Sequence, residues 1–189
     1  MQAALDWAFS SDGDPQIGVS LTVVVVPLWV QLSLLGECRE RIERALAWLD
    51  SIVVSDRRLE MQLHATLGMS LNYTTGPVRE TAAAWTDTLV IAKSLDDTEY
   101  QLRALRGLWA HHMNGCDYRR SLALANEFRG LAATLADPTS LDFGDRMAAL
   151  ILHYMGDQNS ARNHLAPCLA RAAAPIATHR PPGFFSTET

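Results

Sequence analysis

The sequence predicts an all-α protein, a right-handed α-solenoid of about four helix–turn–helix units with a period of about 40 residues. Three observations carry this. Glycines stand at Gly36, Gly76, Gly115 and Gly156, in steps of 40, 39 and 41 residues. Each is preceded by one apolar stretch of helical length and followed by another. Strand signals are nearly absent: Val23 to Val26 lie inside a longer uncharged run and show no alternation.

The elements follow in order. A short helix is expected from Ala3 to Phe9, then a loop, SSDGDP, from Ser10 to Pro15. Pro15 to Gly36 is uncharged and long enough to cross a bilayer. It nevertheless holds Gln16, Ser20, Thr22, Gln31 and Ser33, with Pro27 in its middle and no basic cluster beside it. A buried solenoid helix, kinked near Pro27, is the reading. ECRERIERALAWLDS closes the first unit. The second unit pairs MQLHATLGMSLNYTT with PVRETAAAWTDTLVIAKSL, and Pro77 suits the first turn of the latter. In the third, Leu102, Leu105, Leu108 and His112 recur on one helix face, as do Leu122, Ala125, Phe128, Ala132 and Leu135 on its partner. DRMAALILHYM and DQNSARNHLAPCLARA form the fourth. The turn glycines predict φ > 0 at helix ends. Asp96-Asp97 and Asp137-Pro138 mark breaks between units, and Thr98 with Gln101 reads as a capping box. The repeats make one domain, 1–175. Residues 176–189 form an irregular tail. The alanine- and leucine-rich C-terminal end carries no polar cap, which predicts dimerisation there.

Composition limits the chemistry. The net charge is −5 with pI about 5.6, which argues against direct nucleic-acid binding. Lys93 is the one lysine among 16 basic residues, and no phosphate-binding glycine motif occurs. Cys38, Cys116 and Cys168 are far apart and read as reduced thiols of a cytoplasmic protein. No membrane association is expected. His111, His112 and His153 are the histidines placed to approach one another, but neighbours on a helix diverge by roughly 100° and zinc needs about four ligands. Asp12 and Asp14 lack the rest of a calcium loop. Glu37, Glu40 and Glu43 interleave with Arg39, Arg41 and Arg44 as a solvated face. No nucleophile motif is present. The tryptophans read as packing between units. No catalytic residue, metal or cofactor is assigned.

In such solenoids the first helix of each unit lines a concave groove. With Gly68 and Gly107 at the close-packed positions, the partner groove comprises Gln62, Met69, Asn72 and Tyr73 of the second unit. Gln101, Leu108, His111 and His112 come from the third and His153 from the fourth. Ala65, Ala104, Asp142 and Asp145 lie between them. Amides, histidines and a tyrosine around small apolar positions suit an extended protein or peptide partner.

Several local strings resemble tetratricopeptide repeats stretched beyond their usual length. They are Leu67-Gly68, TLVIAKSLDD from Thr88, Gly107 with Asp117-Tyr118, and Gly156-Asp157 followed by Ala161, Leu165 and Leu169. LDWAFSSDGDPQIGVSLTVVVVPLW, ECRERIERAL and EYQLRALRGLWAHHMNGCDY are similar to the C-terminal helical region of bacterial winged-helix transcriptional regulators with a predicted ATPase module. That resemblance implies a non-catalytic sensor or partner-binding arm, here as a fragment of such a regulator. The alternatives are a free-standing regulator that senses a small ligand in the groove, or a metal- or cysteine-dependent enzyme on an α-solenoid.

Overall fold

A computed structural model describes residues 2–49, 56–135 and 137–173. Among these residues all regular structure is helical. A leading helix, α1 (Gln2–Ala8), precedes four pairs: α2 (Pro15–Gln31) with α3 (Leu35–Leu49), α4 (Arg57–Thr74) with α5 (Arg79–Ser94), α6 (Thr98–Asn114) with α7 (Tyr118–Thr134), and α8 (Pro138–Tyr154) with α9 (Gln158–Ala173). Consecutive helices pack on one another, and α4 also packs on α2 and α6. This is an α-solenoid of helical hairpins. The expected tail, 176–189, lies outside the described residues.

Aspartates start the helices at the same period as the repeats. Asp14, Asp56, Asp97 and Asp137 cap the first helix of each pair, and each side chain accepts from backbone N–H groups of the first turn. Asp117 does the same for α7, and Asp157 accepts from Ser160 N ahead of α9. Each cap satisfies donors that the helix itself leaves open. The cap of α6 is therefore Asp97; Thr98, the residue read as the start of a capping box, is the first residue of the helix. Asp97 is also held at 2.6 Å by Arg58 of the preceding unit. Asp97→Ala is expected to cost about 1–2 kcal/mol, the usual worth of a cap with a small contribution from an exposed ion pair. Urea unfolding at neutral pH measures it.

The turns inside the pairs each pass through one left-handed residue. These are Ser33 (φ 58°), Gly76 (φ 86°), Cys116 (φ 61°) and Gly156 (φ 86°). Two of the four periodic glycines thus hold the position expected of them. Gly36 falls inside α3, and Gly115 caps α6 at φ −82° with Cys116 taking the left-handed step. At Ser33, Cys116 and Gly156 the following N–H closes the helix end, from Leu34 to Trp29 O, Asp117 to His112 O and Asp157 to Leu152 O. A Cβ in this conformation is strained. Cys116→Gly is expected to stabilise the chain by about 0.5–1 kcal/mol, read as a raised denaturation midpoint. Pro77 lies ahead of α5, whose N-cap is Val78.

Glycines within first helices receive an aromatic ring from a neighbouring segment, the turn after α1 for Gly18, the helix before for Gly107 and Gly144, and the helix after for Gly68. A Cβ on Gly18 would meet the Phe9 ring at 2.8 Å, and one on Gly144 would meet Phe128 Cδ1 at 3.0 Å. Trp85 of α5 lies between Gly68 of α4 and Gly107 of α6, where a Cβ on either glycine would come within 2.8 Å of its Nε1. Close helix contact here requires the missing side chain. Apolar clusters run from Leu5, Val19, Trp29 and Ile42 to Leu63, through Ala65, Trp85 and Leu108, to Leu105, Phe128 and Met147. Stacked units thereby share a continuous core.

The two ends of the stack are the least covered parts of the described residues. Helix α2 continues through Pro27 and is buried along one face only: Val24 is 75% exposed, with Ile17 and Leu28 also open. It sits at the start of the stack, where the seven-residue α1 covers only part of it. No helix of the described residues is long and apolar enough to cross a membrane. At the other end α9 packs on α8 and leaves Leu169 67% exposed.

Cys38 of α3 is fully buried, and burial pushes its thiol up to about 11. The unfolded thiol ionises at lower pH. The group therefore contributes its full stability below pH ~9 and loses it as pH rises from about 9 to 11. Cys38→Ala is expected to remove an alkaline fall in stability on the order of 2 kcal/mol, measured by denaturation across that range.

Candidate binding groove

The first helices converge on a concave cavity of about 720 Å³. Val23, Val26, Pro27 and Val30 of α2 form one wall, and Gln62, Ala65, Thr66, Met69, Asn72 and Tyr73 of α4 form the next. Tyr100, Arg103, Arg106, Gly107, Trp109, Ala110 and Asn114 come from α6. Trp85 forms part of the floor, and Phe143 of α8 reaches in from the fourth unit. Each wall follows the helical period, because these residues share the face opposite the outer helices.

The cavity has a mixed lining, with valines, Met69 and aromatic rings beside Gln62, Thr66, Asn72 and Asn114. Among its lining residues there are two arginines and no carboxylate. The Arg103 guanidinium lies 5.3 Å from the Tyr100 ring centre, and that of Arg106 lies 5.8 Å from Phe143. Arg146 approaches the same Phe143 ring at 5.5 Å. Asn72 Oδ1, Trp85 Nε1 and Trp109 Nε1 are buried and have no hydrogen-bond partner among the described residues. Such groups are costly unless something satisfies them.

Of the residues expected to face the groove, Gln62, Met69, Asn72 and Tyr73 line the cavity. Gln101, Leu108, His111, His112 and His153 do not. Leu108 is buried with Ala65, Trp85 and Ala104. His111 and His112 stand edge to face at 5.1 Å, and burial lowers the pKa of both. His112 is 3.6 Å from Asp117. His153 pairs with Gln158 on α9. The α6 assignment fails by register: with Gly107 against Trp85, the groove face runs through Tyr100, Arg103, Arg106, Ala110 and Asn114. Gln101, Ala104, Leu108 and His111 are turned about 100° away. Arg103 and Arg106 belong to the face one register step from the one assigned from the sequence.

A second polar cluster joins α7, α8 and α9 and holds Asp142 and Asp145, which were expected at the groove and do not line the cavity. Asp145 Oδ1 is 2.7 Å from Arg129 Nε and 2.9 Å from His164 Nδ1. Asp142 pairs with Arg171, whose hydrogen bond holds the Asp142 carboxyl below the usual carboxylate range. Cys168 donates weakly towards the carbonyls of Asp142 and His164. Burial and the nearby Asp142 carboxylate raise its thiol pKa. That is the reverse of what an activated nucleophile needs. Among the described residues, no group of three or more His, Cys, Asp or Glu is placed to hold a metal ion.

No family model matches the chain, and no curated protein matches it. Among solved structures it is similar to the crystal structure of BtubC (BKLC) from P. vanneervenii, with 14% identity and a TM-score of 0.46. The match covers 100% of this chain and 92% of that one. Similarity at this level carries no argument about function.

Proposed function

We propose that this chain is a non-catalytic helical-repeat module that binds a segment of a partner protein along its concave face. The observation that supports the reading is the convergence of α2, α4 and α6 on one open cavity lined by apolar and polar side chains. Extended segments and helices are held by such grooves through side-chain pockets at regular spacing. A photo-cross-linking residue at Asn72 or Tyr73 is expected to capture the partner, whereas the same residue at exposed Ala83 or Ala123 is not. Equal capture at all four positions overturns the reading.

The resemblance to winged-helix regulators supports placing the module in transcriptional control, in the cytoplasm and away from direct contact with DNA. On that reading the captured partner is the DNA-binding or ATPase part of such a regulator. Capture of an unrelated protein counts against it. The open α9 face around Leu169 supports self-association there. Light scattering on the purified full chain is expected to show a dimer, and a monomer refutes it.

The three unpartnered buried polar atoms favour a second reading, a small ligand sensed within the groove. The cavity volume lies in the range of small-molecule sites. Such a ligand stabilises the fold in proportion to RT ln(1 + [L]/Kd), which thermal unfolding detects.

A further inference from the structure

We propose that the concave cavity is selective for an organic anion: an apolar, ring-sized body carrying one acidic group that sits between Arg103 and Arg106. The inference rests on the small-ligand reading and adds the ligand's chemistry. Four observations carry it.

First, the cavity holds two guanidinium groups and no carboxylate, in a chain whose net charge is −5. Elsewhere arginines of this chain pair with acids, as Arg58 does with Asp97, Arg129 with Asp145 and Arg171 with Asp142. Arg103 and Arg106 have no ion-pair partner among the described residues, and lie instead beside the Tyr100 and Phe143 rings. A guanidinium fork placed this way keeps its N–H groups available for a planar anion.

Second, Trp85 and Trp109 each bring a buried indole N–H, a donor with no acceptor. Trp85 is only 4% exposed, and its ring is fixed between Gly68 and Gly107 with Nε1 against both glycines. It therefore offers the ligand a rigid ring wall, and its N–H is reached only if α4 and α6 part. Third, Asn72 Oδ1 is an acceptor without a donor, which suits a ligand hydroxyl or amide N–H. Fourth, Val26 and Met69 supply apolar wall opposite the arginines, which suits the body of the ligand.

Anilinonaphthalene sulfonate and N-phenylnaphthylamine test this on the full chain. They share one ring system and differ by the sulfonate, and both fluoresce on entering an apolar site. The sulfonate is expected to bind at one site per chain, at least tenfold tighter than the neutral probe, and to weaken as salt rises. Arg103→Gln/Arg106→Gln is expected to remove that preference while leaving neutral-probe binding unchanged. Both side chains are exposed, so the variant retains the fold, checked by helicity and melting temperature. Arg79→Gln/Arg119→Gln, outside the cavity, is expected to bind as wild type. Equal binding of the two probes, or a preference that survives the double substitution, overturns the anion selectivity and leaves the small-ligand reading standing. Binding of neither probe overturns both.

Discussion

Gly107→Ala is expected to destabilise the chain by about 1–3 kcal/mol, although alanine is the better helix former by about 1 kcal/mol. The added methyl would press on the Trp85 indole, with Nε1 at 2.7 Å and other ring atoms closer. The ring has little room to retreat, because Gly68 of α4 stands on its other side, so close that a Cβ there would come within 2.8 Å of the indole. The α4–α6 contact must open or the tryptophan must leave its position. Either response disturbs the cavity floor, since Trp85 and Gly107 both line it. Gly130→Ala is the internal comparison. It also lies within a helix, but its Cβ would meet nothing within 4 Å. It is expected to stabilise by about 0.5–1 kcal/mol. Urea unfolding of the two variants should therefore move in opposite directions. In a Trp85→Leu background the Gly107→Ala penalty is expected to shrink by more than 1 kcal/mol. Equal penalties in both backgrounds would sink the steric explanation.

The period was legible because every unit repeats its helix lengths and its turn. The turn itself was read through the wrong residue in two units. A left-handed residue can be Ser33 or Cys116 when the helix-closing hydrogen bonds around it are strong enough to hold the strain. The aspartates at 14, 56, 97 and 137 recur as regularly as the glycines and mark the helix starts more directly. In the sequence Asp14 reads as a loop residue, and Asp97 and Asp137 as breaks between units. Of the residues expected at the groove on α4, Gln62, Met69, Asn72 and Tyr73 line the cavity. Those expected on α6 do not, because Gln101, Leu108 and His111 share a helix face that packs inward. A one-residue change of register turns a helix by 100°, and composition alone does not decide between adjacent faces. The Asp145 cluster was illegible for another reason. It joins residues 19 apart on neighbouring helices, and only the angle between α8 and α9 brings them together.

That cluster gives the second large effect. Asp145→Ala is expected to cost about 2–3 kcal/mol. The carboxylate is mostly buried, with 14% of its side chain exposed, and serves Arg129 of α7 and His164 of α9 at once. Removing it takes the charged hydrogen-bond partner from Arg129 and His164 together, whose side chains are 35% and 23% exposed, so water offsets part of the loss. Asp145→Asn retains an acceptor of the same shape and should cost less, because the pairing with Arg129 loses its charge but not its geometry. The loss should be local. Helix α9 is the last described helix, and its remaining polar ties to α8 run through Asp142 with Arg171 and Cys168, and through His153 with Gln158. Amide exchange in α9 is expected to quicken in Asp145→Ala while α4 exchanges at its original rate, since a solenoid frays from its end. Uniform acceleration along the chain would mean that the cluster supports the whole stack. The groove residues on α2, α4 and α6 lie outside the cluster, so probe binding in the concave cavity should survive the substitution. A variant that frays α9 and keeps the binding site intact would assign the seam to holding the end of the stack and the groove to recognition.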